Sequence, residues 1–271
     1  MSEITKTIAF FGATGGCTNA CLAHLLKSDT NLHAVALART PSKLLTQLHN
    51  QGITQETLDT RLRIIQGDAT DTEAVKSTLV LQDTTTSEKR QLKLVNTIIV
   101  GIGGTPTLQK KSLIPRFTLD NPHITEEFTR ALLHALSEVV PFAPERPLLG
   151  VISTTGLTAG TNAPRDVPCV FKPMYNTLLA VPHEDKEKME RMLDEESADV
   201  LRGLVIVRPS LLVGDQDITT GKGWKTLRVG VEKDPAVGYT ISRADVGEWI
   251  FEEIVKGGGG KWIGEKVTLT S

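Results

Sequence analysis

The stretch TIAFFGATGGCT, Thr7 to Thr18, decides how the rest of the chain is read. Thr7 to Phe11 is a short apolar run rich in strand-forming residues, and it passes directly into Gly12, Gly15 and Gly16. Beyond the glycines, Cys17, Cys21 and Leu25 recur at helical spacing with Leu22 and Leu26 beside them, which predicts a helix from about Gly15 to Lys27. A strand that turns through glycines into a helix is the first βα turn of a doubly wound parallel sheet. Glycine serves there because the backbone must turn tightly and approach a pyrophosphate closely, while free N–H groups and the positive helix end face that anion. The third glycine of the GxxGxxG pattern is replaced by Thr18. Either helix and strand sit slightly further apart, or the threonine packs where a hydrogen would.

Working outward, the second strand, His33 to Ala38, ends in ALARTPSK. An NAD-preferring site places a carboxylate about 20 residues beyond the glycines to bind ribose hydroxyls. No Asp or Glu stands between Asp29 and Glu56; Arg39 instead occupies the place of an NADP 2′-phosphate contact, and Lys43 opens the next helix. This favours NADP(H). Asp68, after a third strand at Arg63 to Gln66, is read as an adenine contact or a turn cap, and Asp71 as the N-cap of a helix to Leu79.

The remainder alternates in the same manner, which is the signature of βαβ units. About seven strands are expected, including Leu94 to Ile99, Leu148 to Ser153, Gly203 to Arg208 and Lys266 to Thr270. Helices are expected from Asn121-Pro122 to about Val139, from Pro182 to Ser197 and from Arg243 to Lys256. The stretch 82–91 reads as an exposed loop, 105–119 as a Pro- and Lys-containing loop, 157–181 as a long functional loop and 217–240 as hairpin-like. The Gly257 to Gly260 run is a turn, since GGGGKW lacks the Ser/Thr and spacing of a P-loop.

Composition narrows the function classes. A length of 271 residues suits one large domain, and a net charge of -2 offers no basic face for nucleic acid. No run approaches the roughly 18 apolar residues that span a bilayer, and the first strand begins almost at Met1, leaving no room for a presequence. A cytoplasmic protein is expected, as a monomer or homodimer. Three cysteines form neither a disulfide framework nor a metal motif, so Cys17 and Cys21 are read as small core residues. His24, His33, His49, His123 and His134 are read as structural or solvated, and no metal is called for.

GATGG with an arginine ending the second strand, GDATD at 67–71, VGIGG at 100–104, ISTTG at 152–156, HEDKEKME at 183–190, VRPS at 207–210 and ISRADVGEWI at 241–250 together resemble the atypical short-chain dehydrogenase/reductase superfamily. The likeness is to its NmrA-like and averufin-oxidase-like fungal branch, and it covers nearly the whole chain. It implies a single Rossmann domain, 1–271, with a substrate region formed by about 157–181 and 211–240, and an NADP(H) cofactor. By that resemblance Gly12, Thr14, Gly15, Gly16 and Cys17 border the phosphates, Arg39 and Lys43 meet the 2′-phosphate, and Asp68 lies by the adenine. Gly101 and Ile102 would line the nicotinamide side, with Ser210 near the carboxamide.

One departure matters most. Short-chain reductases use a Tyr-x-x-x-Lys pair, in which lysine lowers the phenol pKa and holds the nicotinamide ribose. Here Tyr175 is followed four residues on by Leu179 and Tyr239 by Arg243, while Lys186 has Pro182 four residues before it. Proline has no proton to give. Candidate donors are Thr154 or Thr155 at the end of the fifth strand, Tyr175, His183, or water; Lys186 is read as both catalytic and cofactor-binding, with Ser153 beside the cofactor. The expected activity is NADPH-dependent reduction of a carbonyl or conjugated double bond in a small molecule of fungal secondary metabolism. The alternatives are a non-catalytic NADP(H)-sensing regulator, or a non-redox isomerase or cyclase that retains the cofactor.

Overall fold

Strand β1 (Lys6–Phe11) buries Ile8 and Phe10 on one face and Ala9 and Phe11 on the other, because successive strand side chains alternate. Both faces must therefore be covered, as in a parallel sheet flanked by helices. The structure is a computed structural model that describes residues 6–85, 90–104, 106–108, 117–157, 164–168 and 180–271. After β1 come α1 (Gly16–Lys27), β2 (Leu32–Ala38), α2 (Pro41–Asn50), α3 (Gln55–Arg61), β3 (Leu62–Gln66) and α4 (Thr72–Leu79). Next are β4 (Val80–Thr85), β5 (Arg90–Leu94), β6 (Thr97–Val100), β7 (Pro106–Leu108), β8 (Phe117–Leu119), α5 (Ile124–Val139) and β9 (Leu148–Ile152). The chain continues with α6 (Ala180–Glu196), β10 (Gly203–Pro209), β11 (Leu211–Val213), β12 (Arg228–Val231), β13 (Thr240–Ser242), α7 (Arg243–Trp249) and β14 (Lys266–Thr270).

Eight strands form one sheet in the order β12-β14-β10-β9-β6-β1-β2-β3, parallel throughout except for β12 against β14. Strand β1 pairs with β2 on one side and β6 on the other, so the winding reverses at its C-terminal end. That switch point is where open α/β sheets bind ligands. One face packs on α1, α2 and α7 through Cys21, Leu25, Leu44, Leu48, Val246 and Trp249. The other packs on α4, α5 and α6 through Val75, Leu79, Phe128, Leu132, Met189 and Leu193.

The C-terminal end of α1 is closed by Arg61, whose guanidinium donates to the carbonyls of Leu25, Leu26, Ser28, Thr30 and Leu32 at 2.8–3.1 Å. Carbonyls of a last helical turn have no partner within the helix, and a cation there also meets the negative end of the dipole. At its other end α1 is crossed closely by α7, because a Cβ on Gly247 would lie 2.6 Å from the Cys17 carbonyl oxygen and 2.4 Å from the Ala20 Cβ.

The structure corrects several sequence expectations. The stretch 82–91, expected as an exposed loop, contributes to the antiparallel pair β4 and β5. Leu92 and Leu94 alternate inward there, a period that the neighbouring charges obscured. The strand expected at 94–99 starts at Thr97, because Leu94 ends β5 and the Asn96 side chain accepts the Thr7 amide at 2.9 Å. Loop 105–119 contains the short antiparallel pair β7 and β8. Helix α6 starts two residues before Pro182, which stands in a first turn where no amide is needed. The region 217–240, expected as hairpin-like, turns back on itself only at Val231 and Asp234, whose backbones exchange hydrogen bonds at 2.9 and 3.1 Å, while its strands pair elsewhere, β12 with β14 and β13 with β11. The expected helix 243–256 is α-helical to Trp249 and continues as a wider π-helical turn, Ile250–Lys256. Most of 157–181, including Tyr175, lies outside the described residues.

Thr18 takes the second of its two expected courses. Its side chain is buried, and a Cβ on Gly101 would come within 1.8 Å of its Oγ1. The space that a third glycine would free on α1 is thus freed on the strand side instead. Among the described residues the hydroxyl has no hydrogen-bond partner. Thr18→Val, which keeps the shape and removes an unpaired buried polar atom, should be neutral or stabilising by up to about 1 kcal/mol in urea unfolding. Gly101→Ala should cost about 1–3 kcal/mol as overpacking; a strongly destabilised Thr18→Val would mean that the hydroxyl has a partner.

Candidate cofactor and active site

Gly12 holds a φ of +77°, and a Cβ on it would fall 2.6 Å from the Gly101 carbonyl oxygen, so no other residue fits. The turn closes through the Gly15 amide on the Gly12 carbonyl at 2.8 Å, and the Asn19 amide makes the first helical bond, to Gly15, at 2.8 Å. The amides of Gly16, Cys17 and Thr18 therefore precede the hydrogen-bonded ladder of α1. Asn19 donates its side-chain amide to the Ala13 carbonyl at 2.8 Å and accepts from Gln51 at 2.6 Å, which fixes the turn from below. No acidic residue stands in the first turn of α1. Free amides, a positive helix end and no competing carboxylate fit a diphosphate. Cys17 contributes its backbone only, since its thiol is buried and pushed up to about 12 by that burial. Burial likewise pushes the Cys21 thiol up, and among the described residues no His, Cys, Asp and Glu cluster could hold a metal ion.

Arg39 stands exposed just beyond β2, and Lys43 exposed in the first turn of α2. Asp68 caps a turn: its Oδ1 accepts the Thr70 amide at 2.9 Å and the Thr70 hydroxyl at 2.8 Å. These two bonds, with the Arg39 charge nearby, hold its carboxyl below the usual range. The capping half of its sequence reading is thus what the geometry shows.

A cleft of about 270 Å³ opens at the C-terminal ends of β9 and β10, lined by Ser153, Thr154, His183, Lys186 and Ser210 among others. The Lys186 ammonium donates to the Ile152 carbonyl at 2.8 Å and the Ile102 carbonyl at 3.0 Å, two carbonyls from neighbouring strand ends. The third donor of the ammonium meets the Met189 sulfur at 3.9 Å, a weak acceptor. Desolvation lowers its pKa to about 8, against the opposing pull of Asp185 and Glu190. Asp185 is itself buried and accepts the Thr125 and Glu126 amides, each at 3.0 Å, capping α5 from α6. The lysine is thereby fixed to two strands and two helices.

The hydroxyls at the end of β9 all give their protons inward. Ser153 donates to Glu190 at 2.5 Å, Thr154 to the Thr155 carbonyl at 3.1 Å, and Thr155 to the Pro209 carbonyl at 3.4 Å. In this arrangement their lone pairs face the ligand side, and a threonine would have to turn its hydroxyl from these carbonyls to give a proton. Thr155 moreover does not line the cleft. Ser210 bonds Thr270 at 3.1 Å and does line it.

Sequence reasoning missed the group behind Ser153. Glu190 is 3% exposed and receives Arg208, 2% exposed, through Nε at 3.0 Å and Nη2 at 2.5 Å. Arg208 reaches Glu232 at 2.9 Å as well. Burial works against the Arg208 charge, but the hydrogen bonds and charge of Glu190 leave its pKa raised. In the sequence Arg208 marks only the end of a strand; the available signal is a charge at an inward position of an otherwise apolar run.

A glycine turn built for an anion at the switch point of a parallel sheet, with a lysine in the adjoining cleft, defines a dinucleotide-binding protein of the short-chain dehydrogenase/reductase architecture. Residues 12–256 match the NAD(P)H-binding family, and the chain belongs to that family. It is 52% identical over 97% of its length, and 98% of the relative's, to an oxidase, pynE, of Aspergillus niger. It is 43% identical over the whole of both chains to a reductase, pytE, of Aspergillus terreus. A short-chain dehydrogenase/reductase from Veillonella parvula solved with NADP shares the fold at a TM-score of 0.65 and 16% identity, over 98% of this chain and 94% of that one. The chain is accordingly an NAD(P)H-dependent oxidoreductase. Among the described residues no helix is long and apolar enough to cross a membrane.

The Lys186 ammonium gives a testable pH signature. An unfolded lysine keeps its proton to about 10.5 while the folded one releases it near 8, so between these values the unfolded chain binds more protons and stability rises with pH. Lys186→Met should flatten that rise in urea unfolding across this window. An unchanged slope would return the ammonium to solvent.

Proposed function

We propose that the protein is an NADPH-dependent reductase of a carbonyl or conjugated double bond in a small molecule of fungal secondary metabolism, in the cytoplasm. Its two Aspergillus relatives, one named an oxidase and one a reductase, support redox chemistry on a small substrate. The observation that carries the reading is the acid-free glycine turn of α1 together with Arg39 just beyond β2, where a carboxylate would select NAD.

The residues then divide the work. The amides of Gly16 and Cys17, with the tight turn at Gly12 to Gly15, hold the diphosphate, and Arg39 and Lys43 neutralise the 2′-phosphate. The bound nicotinamide supplies hydride chemistry. Gly101 and Ile102 border its side of the site, and Ser210 stands at the cleft wall. Lys186 places a cation where negative charge develops on a reacting oxygen, and a pKa of about 8 suits it to give up a proton near neutrality. His183, also at the cleft, is the second candidate donor. Leu211 and Leu212 line the same cleft, which supports 211–240 as part of the substrate region within one domain. The outer surface of α5 and α6 presents the exposed charges of Arg130 and Glu184, which favour a monomer over a dimer joined through those helices.

Arg39→Ala should weaken NADPH by about ten- to a hundredfold, the worth of a charge-assisted phosphate contact, and leave NADH nearly unchanged. Titration of each nucleotide by fluorescence decides this. Equal weakening of both would remove Arg39 from the 2′-phosphate, and no binding of either to the unaltered protein would end the reading.

A further inference from the structure

Arg243, the first residue of α7, is not used by the site described so far. Its place follows from the helix crossing: Gly247 lets α7 lie against Cys17 and Ala20 of α1, and Arg243, one turn earlier on the same face, falls over the start of α1. A Cβ on Gly16 would lie 2.3 Å from the Arg243 Cδ and 3.2 Å from its Cβ and Cγ. The arginine stem thus fills the space that the missing side chain of Gly16 leaves. The guanidinium donates through Nη1 to the Gly214 carbonyl at 2.6 Å and borders the cleft that Ser210 and Leu212 line. Among the described residues no carboxylate forms an ion pair with it. The fork has five N–H donors, and one bond to a carbonyl leaves the others for a further acceptor. Its charge is felt at the first turn of α1, where it opposes the upward push of burial on the Cys17 thiol.

A partly buried arginine without a counter-ion, held by a backbone carbonyl beside three free helix amides, is arranged for an anion with several acceptor oxygens. We propose that Arg243 clamps the cofactor diphosphate from the cleft side, facing the amides of α1, and that residue 16 is glycine in order to let this side chain lie across the turn. The inference rests on the reading that a dinucleotide occupies the α1 turn. It differs from the role of Arg39, because the diphosphate is common to NADPH and NADH while the 2′-phosphate is not. Arg243 therefore sets affinity for both nucleotides and the choice between them is left to Arg39. Gly16 and Arg243 become one functional pair, joined across a sequence separation that spans almost the whole chain.

The test is calorimetric or fluorescence titration of the full chain with NADPH and with NADH at several salt concentrations. Arg243→Met keeps most of the stem and removes the charge; it should weaken both nucleotides by the same factor, about tenfold or more, and reduce the salt dependence of binding. Arg243→Lys, which keeps a charge but not the fork, should recover part of the loss and serves if the methionine variant folds poorly. Gly16→Ala should weaken both nucleotides in the parent and add little to Arg243→Met, since the pair acts as a unit. Binding of both nucleotides by the folded Arg243 variants as tightly as by the parent overturns the clamp. Loss confined to NADPH also overturns it, by moving Arg243 to the 2′-phosphate. Failure of the parent itself to bind either nucleotide is a different result, which removes the dinucleotide reading rather than this residue.

Discussion

Two backbones meet at Gly12 and Gly101 with no room for a side chain between them. That contact ties the turn after β1 to the end of β6, across the seam where the sheet reverses its winding. Everything that forms the site is measured from it. The α1 amides point where they do because Gly12 can adopt a positive φ, and Thr18 can enter the helix–strand gap because Gly101 leaves the space. One residue further on, the Ile102 carbonyl receives Lys186. A single steric condition thus sets both the anion cradle and the cation of the neighbouring cleft.

The lysine keeps its anchorage without the tyrosine that accompanies it in a Tyr-x-x-x-Lys pair. In a Tyr-x-x-x-Lys pair the lysine acts partly through the phenol; here it is anchored by two strand-end carbonyls and by its neighbour Asp185, which caps α5. Pro182 fits the same helix because the first turn asks nothing of its missing amide. The geometry around the ammonium is preserved by backbone groups, which do not depend on which side chain stands four residues earlier.

How much of this was legible in the sequence depended on range. The order of strands and helices around TIAFFGATGGCT was readable because apolar periodicity and glycine punctuation are local. Asp71 could be read as an N-cap and is one, with its side chain on the Glu73 amide at 3.0 Å. Arg61, Asp185, Glu190 and Arg208 could not be assigned, since each finds its partner far along the chain and a charged residue carries no mark of where it will be buried. The β4–β5 pair was hidden for another reason: its two inward leucines are outnumbered by polar neighbours. Thr18 looked like a defect in a glycine pattern, and only the packing against Gly101 shows where the compensation lies.

The buried bond between Glu190 and Arg208 has a consequence for how the family can diverge. Removing Glu190 would leave Arg208 with the more exposed Glu232, and removing Arg208 would leave Glu190 with Lys266 at 3.6 Å, so either loss costs less than the about 3–5 kcal/mol of a fully stranded buried charge. Ser153, hydrogen-bonded to the Glu190 carboxylate, would lose its acceptor when that carboxylate is removed. The two ionic side chains are thereby coupled: losing either alone costs stability that exchanging both for a well-packed apolar pair would not.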